Sequence, residues 1–141
     1  MILLDTDHLN VLQTPAHPQY AILSAKMKES GDPIFATTVI SVEEQMRGWL
    51  AAIHRTRKVH NQILYYTRLI GIVRFFGSLR IRPFNEPAAD RFEALWKDRV
   101  RVATMDLKIA SIALEEDALL LSANLRDFER VPGLRVEDWL R

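Results

Sequence analysis

The chain opens on Met1-Ile2-Leu3-Leu4, an uninterrupted apolar run that stops abruptly at Asp5-Thr6-Asp7. Such a run predicts a strand buried on both faces, with its C-terminal tip carrying an acid into a crevice. Residues 7–13 predict a short helix broken by Pro15 and Pro18, and residues 17–29 a second, with Ile22, Leu23 and Met27 at helical spacing and Gly31-Asp32-Pro33 ending it. Residues 34–37 read as a second strand. Ser41-Val42-Glu43-Glu44 has the form of a capping box, Ser41 at the N-cap and Glu44 third in the helix that Met46, Trp49, Leu50 and Ile53 continue.

The next helix, about 56–76, carries two apolar stripes side by side: Val59, Ile63, Tyr66, Ile70 and Val73 in one, Tyr65, Leu69, Ile72 and Phe76 in the other. One stripe is enough to bury a helix against a sheet, so the second calls for further cover, either the 86–97 helix or another chain. Residues 79–84 alternate as a strand does, with Pro83 marking an edge. Residues 86–97 form an amphipathic helix with Ala89, Phe92 and Trp96 inward, and Thr104 is the expected N-cap of a helix holding Asp106 in its first turn. Residues 118–122 give a fourth buried strand, Pro132-Gly133 a turn, and 134–136 a last short strand. Strands alternating with helices imply right-handed crossovers. The expected class is α/β, one domain over 1–141, with a central, mostly parallel sheet of four to five strands and helices on both faces.

Composition narrows the function classes. At 48% hydrophobic and 26% charged the chain is globular, and no apolar run is long enough to span a membrane. The first residues enter a strand and not a basic leader, so a cytoplasmic location is expected. With no cysteine, thiolate zinc sites, disulfides and cysteine nucleophiles are excluded together. The net charge of +1 hides an acid-free stretch between Gln45 and Asn85 that holds Arg47, Arg55, Arg57, Lys58, Arg68, Arg74, Arg80 and Arg82. A solvated basic face accounts for that block, and it is also compatible with holding a polyanion.

The candidate chemistry lies in acids at the strand tips. Asp5, Glu44, Asp106 and the pair Asn124 and Asp127 each fall at a strand's C-terminal edge or in an early helical turn, with Asp7 beside the first. Oxygen donors without paired histidines suit Mg²⁺ or Mn²⁺, and clustered carboxylates need a cation to relieve their repulsion. A bound metal could then activate water toward a phosphodiester. Each acid also has a plain structural account: Glu44 in the capping box, Asp106 at a helix N-terminus, Asp7 as the cap of the first helix, Asn124 and Asp127 as turn formers. Asp5 is the one that such accounts leave over. His8, His17, His54 and His60 lack metal spacing and read as surface or half-buried residues, and Gly48 inside a helix suggests close packing.

Four segments in order resemble the PIN-domain ribonucleases, and within them the VapC-like toxins of toxin–antitoxin pairs: 3–7, Glu44 with Gly48 in an acid-x-x-x-glycine pattern, 105–110, and 121–128 continuing to 132–134. The resemblance covers nearly the whole chain. It implies an Mg²⁺- or Mn²⁺-dependent endoribonuclease in which Asp5, Glu44 and Asp106 bind metal. The family's fourth acidic position falls on the neutral Asn124, with Asp127 as a possible substitute and Asp7 as an outer auxiliary. The expected partners are RNA, a small antitoxin protein and a second copy of the chain. Two rival readings stand beside it: a haloacid-dehalogenase-like phosphatase, because Asp5-Thr6-Asp7 has the nucleophile-x-acid form, and a non-catalytic RNA-binding module.

Overall fold

The computed structural model describes residues 1–141. Five strands, β1 (Ile2–Leu4), β2 (Phe35–Thr38), β3 (Arg80–Arg82), β4 (Leu119–Leu121) and β5 (Arg135–Glu137), form one sheet in the order β3-β2-β1-β4-β5, every neighbouring pair parallel. Seven helices connect them: α1 (Thr6–Leu12), α2 (Tyr20–Glu29), α3 (Val39–Arg55), α4 (Val59–Gly77), α5 (Glu86–Lys97), α6 (Thr104–Glu115) and α7 (Leu125–Phe128). The sheet grows from the central β1 outward to β2 and β3, then returns to the other side of β1 for β4 and β5. The order therefore reverses between β1 and β4, where open α/β sheets form their crevice at the strands' C-terminal ends.

The period-two alternation of strand side chains sorts β1 between two cores. Leu3 packs with Ala36 and Leu120 against Leu107, Ala110 and Ala113 of α6 and Ala88 and Leu95 of α5. Ile2 and Leu4 face the opposite way, onto Leu9 of α1 and Ile72 and Phe76 of α4. With helices on both faces the inner strands β1, β2 and β4 are largely buried, and β1 and β4 read as apolar runs, while the edge strands β3 and β5 are largely exposed and alternate. No helix is long and apolar enough to cross a membrane.

Several local expectations are corrected. Helix α3 starts directly off β2 at Val39, and the Thr38 hydroxyl caps it by accepting the Ser41 N–H at 3.2 Å. Ser41 is thus inside the helix and buried, there is no capping box, and Glu44 loses its capping role. At α1 the N-cap is Asp5 and not Asp7, and at α6 it is Ala103, with Thr104 already helical. On α4 the stripe of Ile72 and Phe76 is the buried one, while Val59, Ile63, Tyr66, Ile70 and Val73 are exposed. The 86–97 helix does not cover that stripe, because α5 lies against α6. On α5 the buried residues are Ala88 and Leu95, whereas Trp96 is 59% exposed. Gly48 packs against nothing: a Cβ built there meets no atom within 4 Å.

Candidate active site at the sheet's switch point

Asp5 leaves β1 in extended conformation, its N–H still held in the sheet by the Leu121 carbonyl at 3.0 Å and its carbonyl accepting the Leu9 N–H at 3.0 Å. The side chain is fixed twice: Oδ1 accepts the Thr6 N–H at 2.7 Å, and Oδ2 accepts the Ser122 hydroxyl at 2.8 Å. Ser122 ends β4 as Asp5 ends β1, so the two sides of the switch point are tied across the crevice. Asp5 is only 7% exposed. Burial, and then the charge of Asp7, push its carboxyl up from 3.8 to about 7, with Asp106 adding to the rise against the hydrogen bonds from Thr6 and Ser122. Without a cation, Asp5 therefore holds a proton to much higher pH than an ordinary aspartate.

The other acids gather around it. Thr6, the residue after Asp5, donates its hydroxyl to Glu44 Oε2 at 2.8 Å and so brings α3 to the crevice. Asp106, in the first turn of α6, has its carboxyl raised by burial, then by the charges of Glu44 and Asp127. Asn124 spans the last two acids: its Nδ2 donates to Asp106 Oδ2 at 3.2 Å and to Asp127 Oδ2 at 3.1 Å. Two carboxylates in reach fix the amide's orientation, because only the NH₂ end can donate to both. The structure thus brings Asp5, Asp7, Glu44, Asp106, Asn124 and Asp127 into one connected network.

Asp7 occupies a different environment from Asp5. Burial works to raise its carboxyl, but hydrogen bonds from His8 and the Ala123 N–H outweigh that and hold it below the ordinary value. His8 is wholly buried, contrary to expectation, with Nδ1 2.6 Å from Asp7 Oδ1 and Nε2 accepting the Trp139 N–H at 3.2 Å. Nε2 is thereby the acceptor, so the Nδ1–H tautomer donates to Asp7 and the ring ties the crevice to the C-terminal segment. Thr6, His8 and Ser122 were missed by sequence reasoning. Ser122 carried a signal, since it closes an apolar run as Asp5 does; the pairing of Thr6 with Glu44 across 38 residues carried none.

The chain's ion pairs include none to Asp5, Glu44 or Asp106. Their repulsion is met only by neutral donors and by protons, which is the electrostatic condition a divalent cation relieves. No three acids or histidines are arranged as a ready cage. Mg²⁺ does not require one, since it is commonly held by one or two carboxylates and otherwise by water. The donor chemistry therefore fits Mg²⁺ or Mn²⁺ with much of the hydration shell retained. The two largest cavities, about 580 and 590 Å³, lie elsewhere.

The arrangement defines a class: an all-parallel α/β fold with an uncompensated acid cluster at its switch point. Solved structures share the fold. A chain of VapBC-1 from nontypeable Haemophilus influenzae matches with a TM-score of 0.76 over 100% of both chains at 21% identity. A chain of the DNA-bound VapBC from Salmonella typhimurium matches at 0.70, covering 98% of this chain and 97% of that one at 20% identity. By sequence the chain is similar to ribonuclease VapC2 of Haemophilus influenzae, 35% identical over 81 residues, 54% of this chain and 61% of the relative. It is also similar to the tRNA(fMet)-specific endonuclease VapC of Salmonella typhimurium, 32% identical over 69 residues, 46% of this chain and 52% of the relative. The matched stretches thus span little more than half of these curated relatives. No family model matches the chain.

Proposed function

We propose that the chain is a PIN-like nuclease domain and hydrolyses RNA phosphodiester bonds with the help of Mg²⁺ or Mn²⁺, as the toxin of a toxin–antitoxin pair acting in the cytoplasm. The observation that carries the reading is the acid cluster at the β1–β4 switch point, where burial and like charge raise Asp5 to about 7 and also raise Asp106. Similarity to proteins named VapC ribonucleases supports the choice of RNA. Asp5, Glu44 and Asp106 are the residues that would hold the cation. Bound there, it would lower the pKa of a water and offset charge on the phosphate.

The chain's own residues prepare that site. Ser122 and the Thr6 N–H fix both oxygens of Asp5, the Thr6 hydroxyl sets Glu44, and Asn124 sets Asp106 against Asp127. His8 holds Asp7, the outer auxiliary, in its charged form.

An antitoxin and a second copy of the chain are the proposed protein partners. The exposed stripe of α4 recurs at a spacing of four, three, four and three residues, the spacing of a surface that meets another helix. Because one relative is named for a transfer RNA, transfer RNA is the first substrate to try. The test is incubation with transfer RNA and with total RNA in Mn²⁺, in Mg²⁺ and in chelator. Cleavage is expected in metal only and is lost in Asp5→Asn; cleavage in chelator, or by the variant, would overturn the proposal. Specific Mn²⁺ binding at Asp5 without any cleavage would favour a non-catalytic RNA-binding module.

A further inference from the structure

At the corner between α5 and α6 an aromatic ladder runs from the edge of the core out to solvent, with only Trp96 exposed. Phe84 meets Phe92 edge-on with ring centroids 6.4 Å apart, and Phe92 and Trp96 lie stacked at 6.0 Å with 20° between their planes. The Lys108 ammonium sits 5.8 Å over the Phe84 ring, so the buried end of the ladder carries a cation and the exposed end is the indole. Beside that indole is a hollow of about 260 Å³ lined by Phe92, Glu93, Trp96, Lys97 and Thr104.

The chain leading away from the ladder is basic. Val100 and Val102 pack onto the core, and the alternating Arg99 and Arg101 are exposed. Arg99 takes a left-handed conformation, φ 58°, to close α5: its N–H reaches the Trp96 carbonyl at 3.1 Å, and the Val100 N–H reaches Leu95 at 3.2 Å. Glycine is the usual residue at this position of a helix end, and an arginine there costs stability.

We propose that the Trp96 ladder is a stacking platform for an unpaired RNA base next to the cleavage site; this rests on the nuclease reading above. Thr104 lines the hollow, and Asp106 lies two residues on in the same helical turn. The hollow and the acid cluster therefore adjoin the same end of α6, whose first residue is Thr104. A strand with its phosphate at the acids can therefore lay a neighbouring base on Trp96. Glu93 at the rim opposes a phosphate in the hollow and can accept a hydrogen bond from a base's amino group. Arg99 and Arg101 are placed for the adjoining phosphates.

The experiment is fluorescence-detected binding of a single-stranded oligoadenylate to the full chain in chelator, where no cleavage interferes, against an abasic oligonucleotide of equal length. The expected results are quenching of the indole emission, weaker binding of the abasic strand, and at least about fivefold weaker oligoadenylate binding by Trp96→Ala, with Trp96→Tyr restoring most of it. Trp96 is exposed, so a thermal melt should show the alanine variant folded. Unchanged affinity in Trp96→Ala, or equal binding of the abasic strand, would overturn the platform. So would sedimentation showing that Trp96→Ala turns a dimer into a monomer, which would make the ladder a contact between copies. Base-dependent binding with no cleavage in Mn²⁺ would instead sink the nuclease reading and leave the stacking site standing.

Discussion

Replacing Asp5 by asparagine should stabilise the cation-free protein even as it abolishes cleavage. The Asp5 carboxyl is raised from 3.8 to about 7 in the fold. For an acid raised in this way the folded state holds its proton while the unfolded chain has released it, so stability declines as pH rises from about 4 and levels off above about 7. At 1.36 kcal/mol per pKa unit the full penalty is about 4 kcal/mol. The amide keeps the size, and its oxygen can still accept the Thr6 N–H while its NH₂ donates to Ser122 Oγ. Ser122 can then turn its proton to Asp7 Oδ2, already 3.3 Å away. Asparagine caps a helix about as well as aspartate, and the lost charge at the N-terminus of α1 costs about 0.3–1 kcal/mol. The variant should therefore gain about 3 kcal/mol at pH 8 and little at pH 4. Urea denaturation of both proteins across that range in chelator measures the difference, and subtraction removes the common titration of other carboxylates. A difference that does not grow between pH 4 and pH 7 would refute the electrostatic account, and a variant equally destabilised at both ends would show that packing, not charge, dominates at Asp5.

Asp106→Asn should likewise raise the melting temperature without a cation, since burial and the charges of Glu44 and Asp127 raise its carboxyl. Millimolar Mn²⁺ should stabilise the wild type and do less for the variant; no Mn²⁺ stabilisation of the wild type would count against the metal site. On α4, Ile63→Glu with Ile70→Glu should leave the fold intact and alter oligomeric state or partner binding, because both residues are exposed. Phe76→Glu, 4% exposed in the core, should unfold the chain. Circular dichroism with light scattering separates the two outcomes.

Apolar runs placed the inner strands, which are buried on both faces, whereas the edge strands β3 and β5, Arg-Ile-Arg and Arg-Val-Glu, were placed by alternation and by the turn before them. Cap assignments failed for a common reason. A hydroxyl at 38 or 41 satisfies the same local pattern, and only the end of β2 decides that Thr38, already in the sheet, is the one in extended conformation at the helix start. The stripes of α4 were visible but not their direction, which depends on where β1 places Ile2 and Leu4. Asp5, Glu44, Asp106, Asn124 and Asp127 could be proposed because acids stand out at strand tips. Of their partners, Ser122 was marked only by its place at the end of an apolar run, and Thr6 and His8 by nothing, since a hydroxyl or imidazole acquires its role from a residue brought near by the fold. His8 read as a surface or half-buried histidine and is wholly buried.

Asn124 is the position where sequence and site differ most from the resemblance, and its geometry gives the difference a physical content. An aspartate there would set a third carboxylate beside Asp106 and Asp127, at separations the amide now fills with two donated hydrogen bonds of 3.2 and 3.1 Å. The amide acts as a neutral clamp, lowering the repulsion around Asp106 without adding charge. A cation then meets fewer negative groups, so one Mn²⁺ per chain is expected in the RNA-free protein, with a second held only when phosphate oxygens complete its shell. Asn124→Asp reverses both effects. Two hydrogen bonds are replaced by repulsion, and the cation-free fold should lose on the order of 2 kcal/mol, limited because the crowded acids can take up a proton. Mn²⁺ should bind the variant more tightly or in greater number, and its stabilisation by metal should exceed that of the wild type. Isothermal calorimetry and thermal melts with and without Mn²⁺ test the two halves separately. Two tight sites in the wild type would contradict the clamp's effect on charge, and a variant as stable as the wild type in chelator would contradict its effect on repulsion.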